Sequence, residues 1–258
     1  MRYMLNQYCN QDNSKVKFNW TNQSIKWYLA SECTTTFYKN ITEKLEPFTK
    51  NCKTLLDIGC GIGAFSVEFA MKGFEVTAID KSPVAVECLL SRARRMGLKN
   101  LDPINITFED FRFNNNYDII FVSYMMSLIN ENNIENIIQK ANKHLVLVMP
   151  FNNIKNDFSV NELYVELGLN LKNLEQLNYL STVDFLSKKN IKHDIKIINT
   201  EFGQPFNTFT EAIQFVYHYF NIPIEKRFEA AEWLNRKIIK LNNKFYLPNN
   251  KESAIIII

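Results

Sequence analysis

The feature that most constrains the fold is an apolar run that ends in three closely spaced glycines, Thr54-Leu55-Leu56-Asp57-Ile58-Gly59-Cys60-Gly61-Ile62-Gly63. An apolar run bounded by turn residues predicts a buried parallel strand. A helical pattern of apolar residues then starts at Phe65 and stops at Gly73. Strand, glycine turn and helix form the first half of a βαβ unit, whose bare backbone and helix N–H groups can approach a ligand closely. The stretch therefore predicts a nucleotide-type cofactor site.

Length and composition indicate a globular protein. The chain has 258 residues, of which 46% are hydrophobic and 22% are charged, enough for one α/β domain with additions or for two small domains. No apolar run approaches the ~20 residues of a membrane span. The start, Met1–Gln7, lacks the apolar core of a secretory signal, so we expect a cytoplasmic protein with no membrane partner.

Charged and metal-ligating residues are scattered. The net charge is +3, and the basic run Arg92–Arg95 fits a solvated helix face better than a nucleic-acid patch. The five cysteines include no C-x-x-C pair, and the three histidines lie far apart. This pattern predicts neither a disulfide framework nor a metal site.

Strand and helix patterns alternate through the first half of the chain. After the glycine turn, Ser82 is a predicted helix N-cap, Pro83 the first helical residue and Gly97 the end of that helix. A further helix is predicted from Ile134 to His144. The other predicted strands of this half are Phe74–Asp80, Asn105–Phe111, Tyr117–Ser123 and Leu145–Pro150. Five strands alternating with helices predict a doubly wound, parallel α/β sheet.

Three acidic residues fall near the ends of the first three strands. They are Asp57, Asp80 and Asp110. Because ligands of such sheets bind at the carboxyl ends of the strands, we expect these acids to share one rim beside the glycine turn. Such a rim suits a ligand that carries hydroxyl and amine groups.

The segment before the first strand is rich in aromatic residues. Apolar residues from Ser24 to Phe48 recur at helical spacing. One interpretation is a helix packed across the sheet edge, and the other is a lid that lines a substrate pocket. Trp20, Trp27 and Tyr38 are the residues that would distinguish them.

From Phe151 onward helical patterns dominate. The predicted helices are Asn161–Gly168, Leu174–Lys189, Thr208–Phe220 and Ile224–Leu241, the last with Phe228, Ala231, Leu234, Ile238 and Leu241 on one face. A strand is predicted at Ile195–Ile198. The final Ile255–Ile258 would be an aggregation hazard in solvent, so we predict a strand buried on both faces.

Two cofactor classes fit the glycine turn. Gly59–Ala64 satisfies the dinucleotide fingerprint, with Asp80 placed for a ribose diol, which would make the protein an NAD(P)-dependent oxidoreductase. However, Asp57 stands two residues before the first glycine, where it would repel a pyrophosphate and attract a cation.

The motifs resemble those of the class I S-adenosylmethionine-dependent methyltransferases. Leu55–Gly63 is similar to their first motif, Val76–Asp80 to the second, Glu109–Phe111 to the third and Tyr117–Ser123 to their fourth strand. The likeness covers roughly residues 50–150. It implies S-adenosylmethionine as the cofactor, with Gly59 and Gly61 against its amino-acid end, Asp80 on both ribose hydroxyls, Lys81 beside the adenine and Asp110 accepting from the adenine amine. The full set of implied cofactor residues is Asp57, Gly59, Cys60, Gly61, Gly63, Asp80, Lys81, Asp110, Phe111 and Ser123.

The resemblance also implies the rest of the architecture. The family fold is a mostly parallel seven-stranded sheet whose last strand is antiparallel and inserts near the fifth. The terminal isoleucines suit that strand, and Ile195–Ile198 suits the remaining edge. We therefore expect N-terminal helices in residues 1–50, a cofactor-binding core in 51–150, and a helical insert with the closing strands in 151–258.

The sequence favours a small-molecule acceptor. Ser123–Ser127 replaces the Asp/Asn-Pro-Pro-Tyr type of motif found in enzymes that methylate nucleic-acid amines, and the net charge is modest. Tyr124 joins Trp20, Trp27 and Tyr38 as a candidate acceptor residue. No catalytic residue is assigned, although Glu32, His144 and Tyr124 are candidates for a general base. A protein that binds the cofactor without turnover is a third alternative, and the oligomeric state is left open.

Overall fold

The computed structural model describes residues 19–125 and 128–258, so the sequence features at Met1–Gln7 and at residues 126–127 lie outside the described ranges. The helices are α1 (Asn22–Thr34), α2 (Phe37–Thr49), α3 (Ala64–Met71), α4 (Pro83–Met96), α5 (Ile134–Ile138), α6 (Val160–Glu166), α7 (Tyr179–Lys188), α8 (Phe209–Tyr219) and α9 (Arg227–Lys237). The strands are β1 (Thr54–Ile58), β2 (Glu75–Asp80), β3 (Leu101–Asn105), β4 (Tyr117–Ser123), β5 (Ala141–Pro150), β6 (Asp194–Glu201), β7 (Gln204–Phe206), β8 (Ile239–Leu241), β9 (Lys244–Leu247) and β10 (Asn250–Ile257).

Seven strands form the main sheet, in the order β3-β2-β1-β4-β5-β10-β6. β10 runs antiparallel to both neighbours, with Ile255 opposite Val148 of β5 and Lys196 of β6. Ile255 and Ile256 are fully buried. The predicted sheet, its antiparallel insertion and its edge strand are therefore confirmed.

Residues at its two ends determine the bounds of α4, the helix that follows β2. The Ser82 hydroxyl accepts the Ala85 N–H, Pro83 opens α4, and Gly97 ends it with a left-handed φ of 67°. These are the cap, first residue and stop that the sequence predicts.

The third strand lies earlier than predicted. The prediction of a strand at Asn105–Phe111 is wrong, because β3 ends at Asn105 and residues 106–111 form a turn. The Thr107 hydroxyl accepts the Asp110 N–H and its carbonyl accepts the Phe111 N–H, so this threonine closes the turn. Pro103 is tolerated within β3 because β3 is the edge strand.

Three predicted helices are shorter in the structure. The helix predicted at Leu174–Lys189 begins only at Tyr179, after a 3₁₀ turn that ends at Leu174. The helix at Ile134–His144 stops at Ile138, and the strand β5 already begins at Ala141. The prediction of a helix at Ile224–Leu241 is wrong at both ends. The helix α9 begins at Arg227, after a 3₁₀ turn, and ends at Lys237, before β8. Of the predicted face Leu234 is buried but Phe228 is 73% exposed, and α9 buries Ala230 and Trp233 beside Leu234. Tertiary packing onto α8 thus overrides the apparent periodicity.

The N-terminal segment forms two helices that join two different cores. α2 packs on α3 and buries Phe37, Ile41 and Leu45 against the sheet. α1 instead contributes Trp27 to a second core that contains α6, α8 and α9. The small sheet β7-β9-β8, which the sequence did not predict, borders this second core, and Ser31 of α1 donates to buried Gln204 of β7 at 2.9 Å. The division of the chain near residues 50 and 150 stays a prediction. In the described part of the chain no helix has both the length and the apolarity to cross a bilayer.

Candidate functional site

The turn after β1 is fastened to the end of β2. The backbone N–H groups of Gly59 and Cys60 both donate to the Ile79 carbonyl, at 2.8 and 3.0 Å. Gly59 and Gly61 have φ angles of 72° and 56°, a left-handed conformation that favours glycine. The turn therefore presents bare backbone at the carboxyl end of the central strands.

Side chains from elsewhere cover this bare backbone closely. A Cβ at Gly61 would lie 2.6 Å from Cζ2 of Trp20, and one at Gly59 would lie 2.7 Å from Cγ of Met125. Gly63 is the N-cap of α3 and packs against α4. A Cβ at Gly63 would lie 2.2 Å from Cδ1 of Leu89. Gly59 and Gly61 line the cavity described below, whereas Gly63 does not.

Asp80 is held in place by two backbone amides. Its Oδ2 accepts the Gly61 N–H and its Oδ1 accepts the Ser82 N–H, both at 2.8 Å. A carboxylate has about four acceptor sites, so each oxygen keeps one for a ligand. Asp80 thus combines a fixed position with free capacity to accept hydrogen bonds.

One large cavity of about 1010 Å³ opens along the carboxyl ends of the strands. It extends from Asp80 and the loop after β3, past the glycine turn, to the start of β10. Its wall includes the predicted residues Gly59, Cys60, Gly61, Asp80, Lys81, Ser123, Trp20, Tyr38 and Tyr124. The structure therefore brings most of the predicted site residues to one space.

Asp57 lies behind the glycine turn and not on the cavity wall. It is 1% exposed, and its Oδ2 accepts the Ser66 hydroxyl at 2.5 Å. Its Oδ1 is buried without a hydrogen-bond partner among the residues described. Burial raises the pKa of Asp57 to about 7, the Ser66 bond opposes this, and the negative charge of Asp80 adds to it. Asp57, which the sequence predicted as a cofactor residue, therefore does not line the cavity.

The turn after β3 presents different residues from those predicted. Ile106, Thr107, Phe108 and Glu109 line the cavity, whereas Asp110 and Phe111 do not. The Asp110 carboxylate accepts the Thr107 hydroxyl at 2.8 Å and is exposed. Phe111 packs on Phe113, with ring centroids 5.3 Å apart. The displacement follows from the earlier end of β3.

The aromatic residues of the N-terminal segment divide between the cavity and the second core. Trp20 and Tyr38 line the cavity. Trp27 does not, because it is 5% exposed and packs edge-on against Phe215 of α8, with centroids 5.1 Å apart. Helical spacing predicted that Trp27 would be buried somewhere but could not identify its partner.

Tyr124 follows β4 in a strained backbone conformation. Its φ is 55°, unusual for a residue with a side chain. Its hydroxyl lies 2.5 Å from the Ser253 hydroxyl of β10, and its N–H donates to Val148 at 2.8 Å. Burial raises the pKa of Tyr124, although the Lys251 ammonium lowers it. The phenol therefore stays neutral at pH 7 and can exchange hydrogen bonds, but it is a poor base.

The other two general-base candidates lie away from the cavity wall. Glu32 forms an ion pair with Arg92 of α4. His144 stands near the start of β5 and packs on Phe48, with ring centroids 6.0 Å apart. It lines a separate surface cavity that includes Ile258.

Sequence reasoning missed part of the cavity wall. Tyr28, Phe202 and Tyr219 add aromatic surface, and Lys155, Asp157 and Lys251 add charge. The position of the charged residues could have been predicted from the antiparallel strand β10, because an antiparallel strand begins beside the end of its neighbour. Ser253 of β10 pairs with Pro150 of β5, so residues just after 150 and just before 253 meet at the same rim.

The central strands of the sheet match a known protein family. Residues 55–146 match the family described as "Methyltransferase domain". This stretch runs from β1 into β5 and contains the glycine turn and Asp80.

Three known proteins illustrate the likeness. The ubiquinone biosynthesis O-methyltransferase of Rickettsia prowazekii (strain Madrid E) is 30% identical over 108 residues, which cover 41% of this chain and 42% of that protein. The chain thus spans less than half the length of this curated relative. The YcgJ protein of Bacillus subtilis has a TM-score of 0.50 at 16% identity, over 83% of this chain and 96% of that one. Protein BH2331 of Bacillus halodurans C-125 has a TM-score of 0.50 at 15% identity, over 85% of this chain and 97% of that one. These structures share the fold.

Proposed function

We propose that the protein is an S-adenosylmethionine-dependent methyltransferase acting on a small molecule, a proposal that the match of residues 55–146 to the methyltransferase domain family supports. The observation that carries the proposal is the single cavity that joins the glycine turn and Asp80 at one end to an aromatic wall at the other. A methyl transfer needs both partners in one space shielded from water.

The cofactor end of the cavity fits this cofactor. Gly59 and Gly61 line the cavity and carry no side chain, so their backbone can approach the amino-acid end of the cofactor. The spare acceptor sites of Asp80 suit two ribose hydroxyls. Glu109 and the Thr107 hydroxyl are the polar groups of the β3 turn that line the cavity, so they replace Asp110 as candidates for the adenine amine.

The acceptor end is suited to positioning a small molecule. When bound, S-adenosylmethionine supplies a methyl group already activated on a sulfonium. The remaining task of this chain is to bind, orient and exclude water. Phe37, Tyr38 and Phe202 form a cluster with ring centroids 4.7 to 5.5 Å apart, which keeps this part of the wall apolar. Tyr124 adds a neutral hydroxyl at the end of β4, where it can orient an acceptor.

Two observations support a small-molecule acceptor over a macromolecule. The aromatic and charged residues converge on a concave space and not on an open face. In addition, the Rickettsia relative is named as an O-methyltransferase of ubiquinone biosynthesis. We propose the same broad class of acceptor here, without assigning the atom that is methylated.

The first experiment is calorimetry of the purified protein with S-adenosylmethionine, S-adenosylhomocysteine, NAD⁺ and NADH. We expect the two adenosyl compounds to bind with dissociation constants of about micromolar order and the nicotinamide compounds not to bind. Binding of NADH without binding of either adenosyl compound would contradict the proposal and support the oxidoreductase.

The second experiment asks whether the bound cofactor turns over. A small-molecule cell extract is incubated with the protein and a cofactor whose methyl group carries deuterium, and the products are followed by mass spectrometry. We expect labelled small molecules that depend on the protein. Cofactor binding without any labelled product in size-fractionated extracts would indicate the non-catalytic alternative.

A further inference from the structure

Three charged side chains form a cluster at the acceptor end of the cavity, which we call the lysine cluster: Lys155, Asp157 and Lys251. Lys155 and Asp157 follow β5, and Lys251 lies in β10. The Lys251 ammonium is 3.2 Å from Oδ1 and 3.5 Å from Oδ2 of Asp157. Their side chains are only 17% and 18% exposed. The pair is therefore well shielded from solvent.

The lysine cluster carries one positive charge more than its carboxylate balances. In the described part of the chain, no carboxylate lies within ion-pair distance of the Lys155 ammonium, which sits 4.2 Å from the ring centroid of Tyr219. Burial lowers the pKa of Lys155, Asp157 raises it and Lys251 lowers it again. An excess buried charge is costly unless a ligand of opposite charge compensates it.

Other charged residues of the cavity wall do not balance this excess. Asp80, the last residue of β2, and Glu109, in the turn after β3, lie at the opposite end, where Lys81 adds a positive charge. Glu252 is exposed, and its Oε2 accepts a hydrogen bond from Asn152. The uncompensated charge thus belongs to the end where the acceptor would bind.

The sheet order separates the lysine cluster from the cofactor end. β10 is the third strand from β1 and the fourth from β2. With strands about 4.8 Å apart, these separations are roughly 14 and 19 Å across the sheet. The Lys251 ammonium reaches back over the ring of Tyr124, 4.6 Å from its centroid, and Tyr124 follows β4. The cluster thus faces the space beyond the end of β4.

We propose that the methyl acceptor carries a carboxylate or a similar anionic oxygen group, which Lys155 and Lys251 bind while aromatic side chains hold its apolar body. This inference rests on the proposed function. Anionic oxygen could also come from the amino-acid end of the cofactor. The separation across the sheet favours the acceptor, and the experiment below distinguishes the two sources.

The test uses matched acids and amides as probes, namely benzoate and benzamide, phenylacetate and phenylacetamide, and cinnamate and cinnamamide. Each is titrated by ligand-observed NMR into the full chain, with and without saturating S-adenosylhomocysteine. We expect at least one acid to bind about tenfold tighter than its amide, because only the acid brings a negative charge that can pair with the two ammonium groups. Equal binding of acid and amide in all three pairs, or no saturable binding of any acid, would overturn the proposal.

Variants with opposite effects make the test specific. Lys155→Met leaves the Lys251–Asp157 pair intact, so it should fold and lose the preference for the acid. Asp157→Asn removes the competing carboxylate and should strengthen acid binding by several-fold. Lys99→Met removes the same charge from an exposed site outside the cavity and should change nothing. An acid preference that survives in Lys155→Met would contradict the inference.

Titration of S-adenosylhomocysteine into the same variants identifies the source of the anion. If Lys155 holds the acceptor, the affinity of Lys155→Met for this compound stays within about twofold of the parent. A loss equal to the loss of acid preference would assign the lysines to the cofactor carboxylate and overturn the proposal. If the parent does not bind S-adenosylhomocysteine at all, the proposed function fails, while the acid preference of the cofactor-free protein still tests the site.

Discussion

The Gly61 N–H donates to the Asp80 carboxylate at 2.8 Å, so the turn after the first strand and the end of the second are one unit. The second carboxylate oxygen is fixed in the same way by Ser82. Because the fixed oxygens keep spare acceptor sites, the arrangement is prepared for a ligand without a rearrangement of the side chain.

Asp80→Ala should weaken binding of S-adenosylhomocysteine by about tenfold or more, because it removes an acceptor that two backbone amides already orient. Calorimetry measures the dissociation constant, and a thermal melt of the same sample checks folding. Asp102→Ala is the matched control, since Asp102 is an exposed carboxylate of β3 outside the cavity wall. An Asp80→Ala protein that is folded and binds within twofold of the parent would contradict the assignment.

Gly61→Ala should destabilise the fold and abolish cofactor binding. The left-handed φ disfavours a side chain by about 1 kcal/mol, and the new Cβ would also lie 2.6 Å from Trp20. Gly97→Ala separates these causes, because Gly97 has a φ of 67° and open space around it. Urea unfolding should show a larger loss at position 61 than at 97, and Trp20→Ala should restore part of it. Equal losses at the two positions would mean that contact with Trp20 contributes nothing.

Asp57 should make the protein less stable as the pH rises from about 4 to 7. In the folded chain its pKa is about 7, against 3.8 for an ordinary aspartate, so between these values only the folded state keeps the proton. At about 1.4 kcal/mol per pH unit, the upper limit of the loss is about 4 kcal/mol. In urea unfolding at pH 5 and pH 8, Asp57→Asn should reduce the difference between the two free energies of unfolding.

Ser66→Ala provides the comparison for Asp57. It removes the hydrogen bond that opposes the raised pKa, so the pH window of the stability loss should extend to higher pH. An unchanged pH dependence in both Asp57→Asn and Ser66→Ala would show that Asp57 does not titrate in this range.

Arg92→Met should destabilise the protein by about 3 kcal/mol, because it leaves a shielded carboxylate without its partner. The Arg92 guanidinium pairs with Glu32 of α1, and its Nη1 donates to the Ile62 carbonyl at 2.7 Å, inside the glycine turn. Cofactor affinity should therefore fall as well. Arg94→Met, on the exposed face of the same helix, should cost less than about 0.5 kcal/mol. Chemical unfolding measures both, and similar values for the two variants would contradict the structural role of Arg92.

The parts of the fold that the sequence predicted correctly have local signals. The end of β1 and the start of α4 follow from Gly59, Ser82 and Pro83, whose backbone preferences act within a few residues. The strand Ile255–Ile257 was predictable because four consecutive isoleucines need burial on both faces. The parallel order of the central strands then follows from the alternation with helices.

The parts that were missed depend on contacts distant in the sequence. β3 has Pro103 at its centre and weak strand signals, so its register comes from pairing with β2. Trp27 is buried against a helix that begins about 180 residues later, and periodicity cannot identify such a partner. Asp157 and Lys251 are 94 positions apart and meet only because β10 inserts beside β5.

Because β10 inserts between β5 and β6, the two halves of the cavity are built from different parts of the chain. The glycine turn, Asp80 and the β3 turn come from one continuous stretch, whereas the acceptor half combines α1, α2, the segment after β5, the β6–β7 turn, α8 and β10 with Tyr124. Changes in any of these segments can reshape the acceptor half while the glycine turn and Asp80 keep their mutual hydrogen bond. Under the proposed function, the segments that select the acceptor are therefore distinct from those that hold the cofactor.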